Sequence, residues 1–202
     1  QPVVFLDSTG RSYSLQAHSL PSARSQGEPL TGRLAPPSGA AFRAVLGGDP
    51  DSQWIMASDA GYGFVVPLKD LYANKKAGKA VLSLPKGARV VRPARLDDPA
   101  SDLLVAVTNE GRMLAFPVSE LPVLARGKGN KIIGIPARRA AAREELMVAV
   151  AAVPPHGRLT VRAGKRHMTL RTSDLEPYLG ERGRRGAKLP RGLQNVDRLL
   201  AE

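Results

Sequence analysis

A unit of about 50 residues recurs four times in this chain, and nothing else in the sequence restricts its fold so strongly. The segments DSTGRSYSLQAHSLPSA, SDAGYGFVVPLKDLYAN, TNEGRMLAFPVSELPVL and VRAGKRHMTLRTSDLEPYL carry one pattern. Their glycines, Gly10, Gly61, Gly111 and Gly164, are separated by 51, 50 and 53 residues, and Leu20, Leu71, Leu121 and Leu175 follow in the same rhythm. Residue type, spacing and order recurring together mark one supersecondary unit used repeatedly. A period near 50 residues suits a propeller blade or a similar sheet module.

Within each unit the pattern is that of strands. Apolar segments precede each turn glycine (PVVFLD, QWIMASD, DLLVAVTNE, RLTVRA) and follow it (RSYSL, YGFVVPL, RMLAFPV, KRHMTL), as an antiparallel hairpin requires. A third stretch, TGRL, AVLSL, KIIGI or AKL, precedes a turn-rich break, and most breaks lead into a further apolar run. About four strands per unit result. Seventeen prolines and twenty glycines leave little room for helices, although Ala137–Leu146 (ARRAAAREEL) reads as a loop insertion with one or two helical turns. SELPVL, KDLYAN and SDLEPYL read as turns capped by Asp or Ser. The expectation is one all-β domain over residues 1–202, with units at about 1–50, 51–100, 101–153 and 154–202. The repeat is cut out of phase, so a first strand is either missing upstream or supplied by the terminal LQNVDRLLAE, and ring closure and an open arc both remain open.

Charge follows the repeat. Thirty Lys and Arg against eighteen Asp and Glu give +12 and a pI near 10.6, which favours a polyanionic partner, nucleic acid ahead of an anionic membrane. Basic residues peak in equivalent loops after the recurring leucines: Lys75, Lys76 and Lys79; Arg126, Lys128 and Lys131; Arg182, Arg184, Arg185, Lys188 and nearby Arg191. The first unit offers Arg24 and Arg33, opposed by Glu28. Interleaved glycines suit a backbone pressed against a phosphate strand, and repetition turns solvated loops into a candidate track. The fourth loop is the densest, so the sequence ranks it first; its arginines are either solvent-exposed or, for Arg185, braced against the terminal strand. Nine aromatics, most inside apolar strands, leave few platforms for stacking unpaired bases, which favours duplex over single strands.

Chemistry is sparse. There is no cysteine, and His18, His156 and His167 are scattered, so no cofactor or metal is expected. No phosphate-loop, HExxH or GxSxG pattern occurs, ARGKGNK lacks the Walker spacing, and Tyr178 reads as an apolar anchor more than a nucleophile. Without a long apolar run or a signal-peptide pattern the chain is expected to be soluble.

The segments QPVVFLDSTGRSYSL, GEPLTG, MASDAGYGF, AVTNEGRMLAFPVSELP, RGKGNKIIGIP and GERGRRGAKLPRG closely resemble the C-terminal domains of the A subunits of bacterial DNA topoisomerase IV, relatives of the corresponding gyrase domain. The resemblance implies an open or broken β-pinwheel, a disc whose neighbouring blades exchange hairpins and whose basic perimeter binds and bends duplex DNA. The family has about five blades, implying a first blade upstream of these four units. It also implies a cytoplasmic, chromosome-associated location and, as partners, the remainder of the A subunit, the B subunit and chromosome-organising proteins. By the same resemblance ATP and magnesium are expected only for the full enzyme. The gyrase relative carries a glutamine-arginine-glycine box. Its nearest match here, Glu181, Arg182, Gly183, Arg184, Arg185 and Gly186, has glutamic acid for glutamine and lies in the last unit, which suits an enzyme that decatenates and relaxes.

Overall fold

A computed structural model describes residues 1–22 and 24–202. The strands are β1 (Pro2–Asp7), β2 (Arg11–Gln16), β3 (Phe42–Leu46), β4 (Gln53–Ala57), β5 (Tyr62–Pro67), β6 (Lys79–Ala80), β7 (Ala94–Arg95), β8 (Leu103–Thr108), β9 (Arg112–Pro117), β10 (Asn130–Lys131), β11 (Met147–Val153), β12 (Arg158–Ala163), β13 (Arg166–Arg171), β14 (Ala187–Lys188) and β15 (Arg198–Ala201). Among the described residues they form four antiparallel sheets, ordered β3-β1-β2-β6, β7-β4-β5-β10, β11-β8-β9-β14 and β15-β12-β13. The fold is all-β, as the repeat implies. Its one α-helix among the described residues, α1 (Ala137–Ala141), lies where the sequence predicts an inserted helical turn.

Each of the first three sheets takes its outer strand from the following repeat. β6 pairs with β2 (Ser12 opposite Lys79), β10 with β5 (Gly63 opposite Asn130) and β14 with β9 (Met113 opposite Ala187). The third apolar stretch of a unit therefore completes the preceding sheet, and this exchange defines a β-pinwheel. The terminal strand does not supply a first strand to the first sheet, which already has four. β15 pairs with β12, Leu159 opposite Ala201, so the terminal segment closes no ring. Among the described residues the position left unpartnered is the outer edge of β13.

Strand periodicity explains how the sheets pack. In β4, Ile55 joins a core shared with Leu104, Ala106 and Phe116 of the third sheet, whereas Met56 faces Val4, Leu6 and Leu46 of the first. In β8, Val105 and Val107 turn instead toward Leu159 and Val161 of the fourth. Successive residues point to opposite faces, so a sheet between two others must be apolar on both, and β4, β5, β8 and β9 read as nearly continuous apolar runs. In the outermost fourth sheet the alternation returns: Leu159 and Val161 are buried while Arg158 and Arg162 are exposed. The inner-edge strands β7, β11 and β15 lie side by side toward the centre, which places β6, β10 and β14 on the perimeter.

The recurring leucines anchor 3-10 turns after each hairpin. Leu71, Leu121 and Leu175 are buried and Leu20 is half-buried. Of the three turns expected to carry an Asp or Ser cap, Leu68–Leu71 and Val118–Glu120 lack one. Backbone bonds hold them instead, from Leu68 to Ser52 at 2.8 Å and from Val118 to Asp102 at 3.0 Å. Only the fourth, Thr172–Tyr178, has a capping box, where Asp174 accepts from the Arg171 backbone.

One buried polar unit holds the first hairpin. The fully buried Asp7 carboxylate accepts from the Tyr13 hydroxyl at 2.6 Å and from the Thr9 and Arg11 amides at 2.8 and 3.0 Å. Burial first, then the Asp7 hydrogen bond, push the Tyr13 phenol up to about 12. An unfolded tyrosine ionises near 10. The folded state therefore holds this proton more tightly, and its stabilising contribution is complete below pH 10 and lost as pH rises toward 12. Denaturation midpoints should fall over that alkaline window, and Tyr13→Phe should flatten the fall.

Candidate nucleic-acid interface

The perimeter strands sit where they do because of a glycine immediately before each. Gly78, Gly129 and Gly186 have φ of +67°, +81° and +77°, the left-handed region that side chains resist. A Cβ on them would fall 2.5 Å from the Ser12 carbonyl oxygen, 1.9 Å from that of Gly63 and 2.4 Å from that of Met113. These glycines let one blade's strand lie against the next. They serve the strand exchange, not the approach to a phosphate strand that their interleaving with basic residues suggests.

Basic side chains beside them fall into two groups. Lys75 and Lys76 before β6, and Arg126 and Lys128 before β10, are exposed, while Lys79 and Lys131 within those strands are half-buried. None of these six forms an ion pair with a carboxylate among the described residues. The Lys128 ammonium instead sits 4.4 Å from the centre of the Tyr62 ring.

The fourth loop is different. Arg182 donates to the Lys131 carbonyl at 2.8 Å, and Arg185 donates to the Gly134 carbonyl at 3.0 Å while contacting Glu145 at 2.8 Å. Lys188 is exposed, but its ammonium donates to the Glu110 carbonyl at 2.7 Å. Arg182 and Arg185 are half-buried, and Arg185 braces the preceding unit at Gly134 and Glu145, not the terminal strand. The reason is tertiary. Backbone bonds from Gly183 to Ile132 at 2.8 Å and from Gly134 to Arg184 at 2.7 Å lay Glu181–Gly186 against the exchanged strand of the preceding unit. Arg184 does project outward, 73% exposed and paired at 3.1 Å with equally exposed Glu181, and Arg191 is exposed. In the first unit Arg24 is exposed. Arg33 donates to the Ser19 carbonyl and hydroxyl, both at 2.8 Å, and pairs with Glu28 at 3.3 Å.

Sequence reasoning passed over the residue that follows each turn glycine. Arg11 donates from Nε and Nη2 to the Ala77 carbonyl at 3.0 and 2.8 Å and to that of Gly78 at 3.0 Å, and Arg112 donates to the Gly186 carbonyl at 3.4 Å. The equivalent residue of the second sheet is Tyr62, beneath Lys128. Position in the repeat was the available signal, because each stands directly after a recurring glycine. Exposed Lys86, Arg89, Arg92 and Arg95 between these loops were likewise not singled out.

No constellation for bond-making chemistry emerges among the described residues. Among the described residues no group of three or more His, Asp and Glu is placed to hold a metal ion. Tyr178 is buried in the core between the third and fourth sheets, and burial pushes its phenol up, opposite to what a nucleophile needs. Among the described residues no helix is long and apolar enough to cross a membrane.

Four blade-like sheets, three of them completed by an outer strand from the following repeat, with basic loops on the perimeter, define a β-pinwheel. A family model described as DNA gyrase C-terminal domain, beta-propeller, matches residues 52–97 and 102–154. The chain is 61% identical over its whole length to the A subunit of DNA topoisomerase 4 from Pseudomonas aeruginosa, covering 27% of that protein. Identity to the Escherichia coli K12 counterpart is 53% over 98% of the chain, covering 26% of the relative. A solved structure of the E. coli ParC C-terminal domain superposes with a TM-score of 0.89 at 51% identity, covering 100% of this chain and 81% of that one. The chain belongs to the family of C-terminal domains of topoisomerase IV A subunits. It spans about a quarter of the length of the curated relatives it matches.

Proposed function

We propose that this pinwheel is a non-catalytic module that binds and bends duplex DNA along its perimeter and presents the transported duplex to the catalytic core of topoisomerase IV. The observation that carries this reading is the placement of Lys75, Lys76 and Lys79, then Arg126, Lys128 and Lys131, at equivalent rim positions of successive sheets without carboxylate partners. Cations spaced along a convex edge attract phosphates whatever the base sequence, and following such an edge curves the duplex. In this reading the chain works with the rest of the A subunit, with the B subunit and with chromosome-organising proteins, in the cytoplasm on the chromosome. Strand breakage, ATP and magnesium belong to other parts of the enzyme, and decatenation and supercoil relaxation are the outcome. A further blade upstream would extend the same edge.

The contacts are not ranked by charge density. Arg182, Arg185 and Lys188 already bond within the fold, so the loops before β6 and β10, with Arg184 and Arg191, carry the larger share. Gel-shift titrations with linear and circular duplexes at several salt concentrations test this. Each phosphate contact removed should lower the slope of log K against log salt by about 0.9, alike for unrelated sequences. Lys75→Ala with Lys76→Ala, or Arg126→Ala with Lys128→Ala, should each flatten the slope by nearly two such steps. An unchanged slope in both double variants would remove the track from the rim.

A second reading, a propeller-like protein-interaction module, draws on one feature. Exposed Val45 lies on the inner edge strand β3, beside Phe42, Arg43 and Trp54, in a groove of about 790 Å³. Binding there would depend weakly on salt, whereas phosphate binding weakens steeply.

A further inference from the structure

Among the described residues the helical insertion containing α1 has no counterpart in the other units, and it walls a cavity of about 400 Å³ against the hairpin turn of the second sheet and the segment around Pro85–Ala88, within the size range of small-molecule sites. Two departures from the repeat line it. At the position where Arg11 and Arg112 reach across to the rim loop, the second sheet has Tyr62, whose ring lies beneath the Lys128 ammonium. After β10 the chain detours through α1 and turns back at Arg143, whose φ of 61° is strained for a residue with a side chain. That strain is held by specific bonds. Arg143 grips the nearly buried Asp59 at 2.9 and 2.7 Å and donates to the Gly87 carbonyl at 2.8 Å, fixing the insertion to the turn opposite.

The lining is chemically divided. Pro85, Ala88, Ile135 and Ala140 make the apolar side. Lys86, Lys128 and Lys131 make the basic side, none of them paired with a carboxylate among the described residues. The carboxylate that does line the cavity, Asp59, is neutralised by Arg143. Lys128 is held at the mouth by the Tyr62 ring, so part of its ordering is complete before any ligand arrives.

We propose that this cavity binds a nucleoside phosphate, its phosphate on Lys86, Lys128 and Lys131 and its flat body against the apolar wall. The ligand is either a free nucleotide or the terminal nucleotide of a DNA strand.

The test is an NMR titration of the 202-residue chain with dAMP, inorganic phosphate and deoxyadenosine. dAMP should move the amides of Tyr62, Lys131 and Arg143 saturably, with phosphate and deoxyadenosine each at least about tenfold weaker. Lys128→Gln with Lys131→Gln alters only side-chain ends and should weaken dAMP about tenfold or more while the fold stays intact. Arg143→Gly tolerates the backbone angle, removes the clamp and should weaken it as well. Phosphate binding as well as dAMP would overturn the proposal, as would equal shifts at Lys75, Lys76 and Arg126. Displacement of dAMP by a duplex with a 5′-phosphorylated single-nucleotide overhang, but not by a blunt duplex, assigns the site to strand ends. Displacement by neither assigns it to free nucleotide, and equal displacement by the blunt duplex overturns it. Gel shifts on Arg143→Gly, which removes no cation of the rim track, keep this outcome separate from duplex binding: that variant should lose dAMP while its duplex affinity and salt slope stay unchanged.

Discussion

Gly10→Ala is expected to lose roughly 3–5 kcal/mol of stability, while Gly164→Ala loses only about 1. The two glycines occupy the same place in the repeat and have φ of +86° and +62°, so the cost of forcing alanine into the left-handed region is common to both. They differ in what passes beside them. A Cβ on Gly10 would stand 2.1 Å from the Leu82 carbonyl oxygen, on the exchanged segment whose Val81 and Leu82 amides donate to the Gly10 carbonyl at 3.0 and 2.9 Å. Nothing lies within 4 Å of a Cβ on Gly164, because no described strand runs along the outer edge of β13. Alanine at Gly10 must push that exchanged segment away, breaking those two backbone bonds and disturbing the core that Val81 and Leu82 enter. Urea denaturation of both variants measures the difference. Equal losses would show that the exchange contributes nothing at this position.

Arg185→Ala is expected to lose about 2–4 kcal/mol, whereas Arg184→Ala, one residue away, stays within about 0.5. Glu145 is fully buried. Its Oε2 accepts from Arg139 at 3.1 Å, and its Oε1, which makes no hydrogen bond, has Arg185 at 2.8 Å as counter-charge. Removing Arg185 leaves that oxygen out of water with no partner and the buried carboxylate with Arg139 alone as counter-charge, a penalty larger than the net worth of the pair. The Arg184–Glu181 pair stands in solvent, where screening makes it nearly worthless to stability. DNA affinity should show the reverse order: Arg184→Ala lowers the salt slope, and folded Arg185→Ala leaves it unchanged. Adding Glu145→Ala to Arg185→Ala should recover part of the lost stability by removing the stranded carboxylate. Failure of any recovery would mean that Arg185 acts through Gly134 alone.

The sequence by itself determined the repeat, the hairpins and the fold class. A turn glycine every 50 residues or so, with apolar strands on both sides, depends only on local conformation and periodicity, and both can be read along a chain. The inserted helical turn at Ala137–Ala141 and the apolar-anchor reading of Tyr178 were legible for the same reason. Strand partnership was not. Lys79–Ala80, Asn130–Lys131 and Ala187–Lys188 lie near the third segment of their own units yet complete the preceding sheets, because pairing is decided by which edge is free in space. Nor did counting charges reveal which cations face solvent. Arg182, Arg184 and Arg185 are equivalent in composition, but once Gly183 bonds to Ile132 the first and last are turned onto carbonyls and a buried carboxylate, and only Arg184 faces outward. A side chain's availability depends on the acceptors within its reach, and packing supplied them from a segment some 50 residues earlier in the chain.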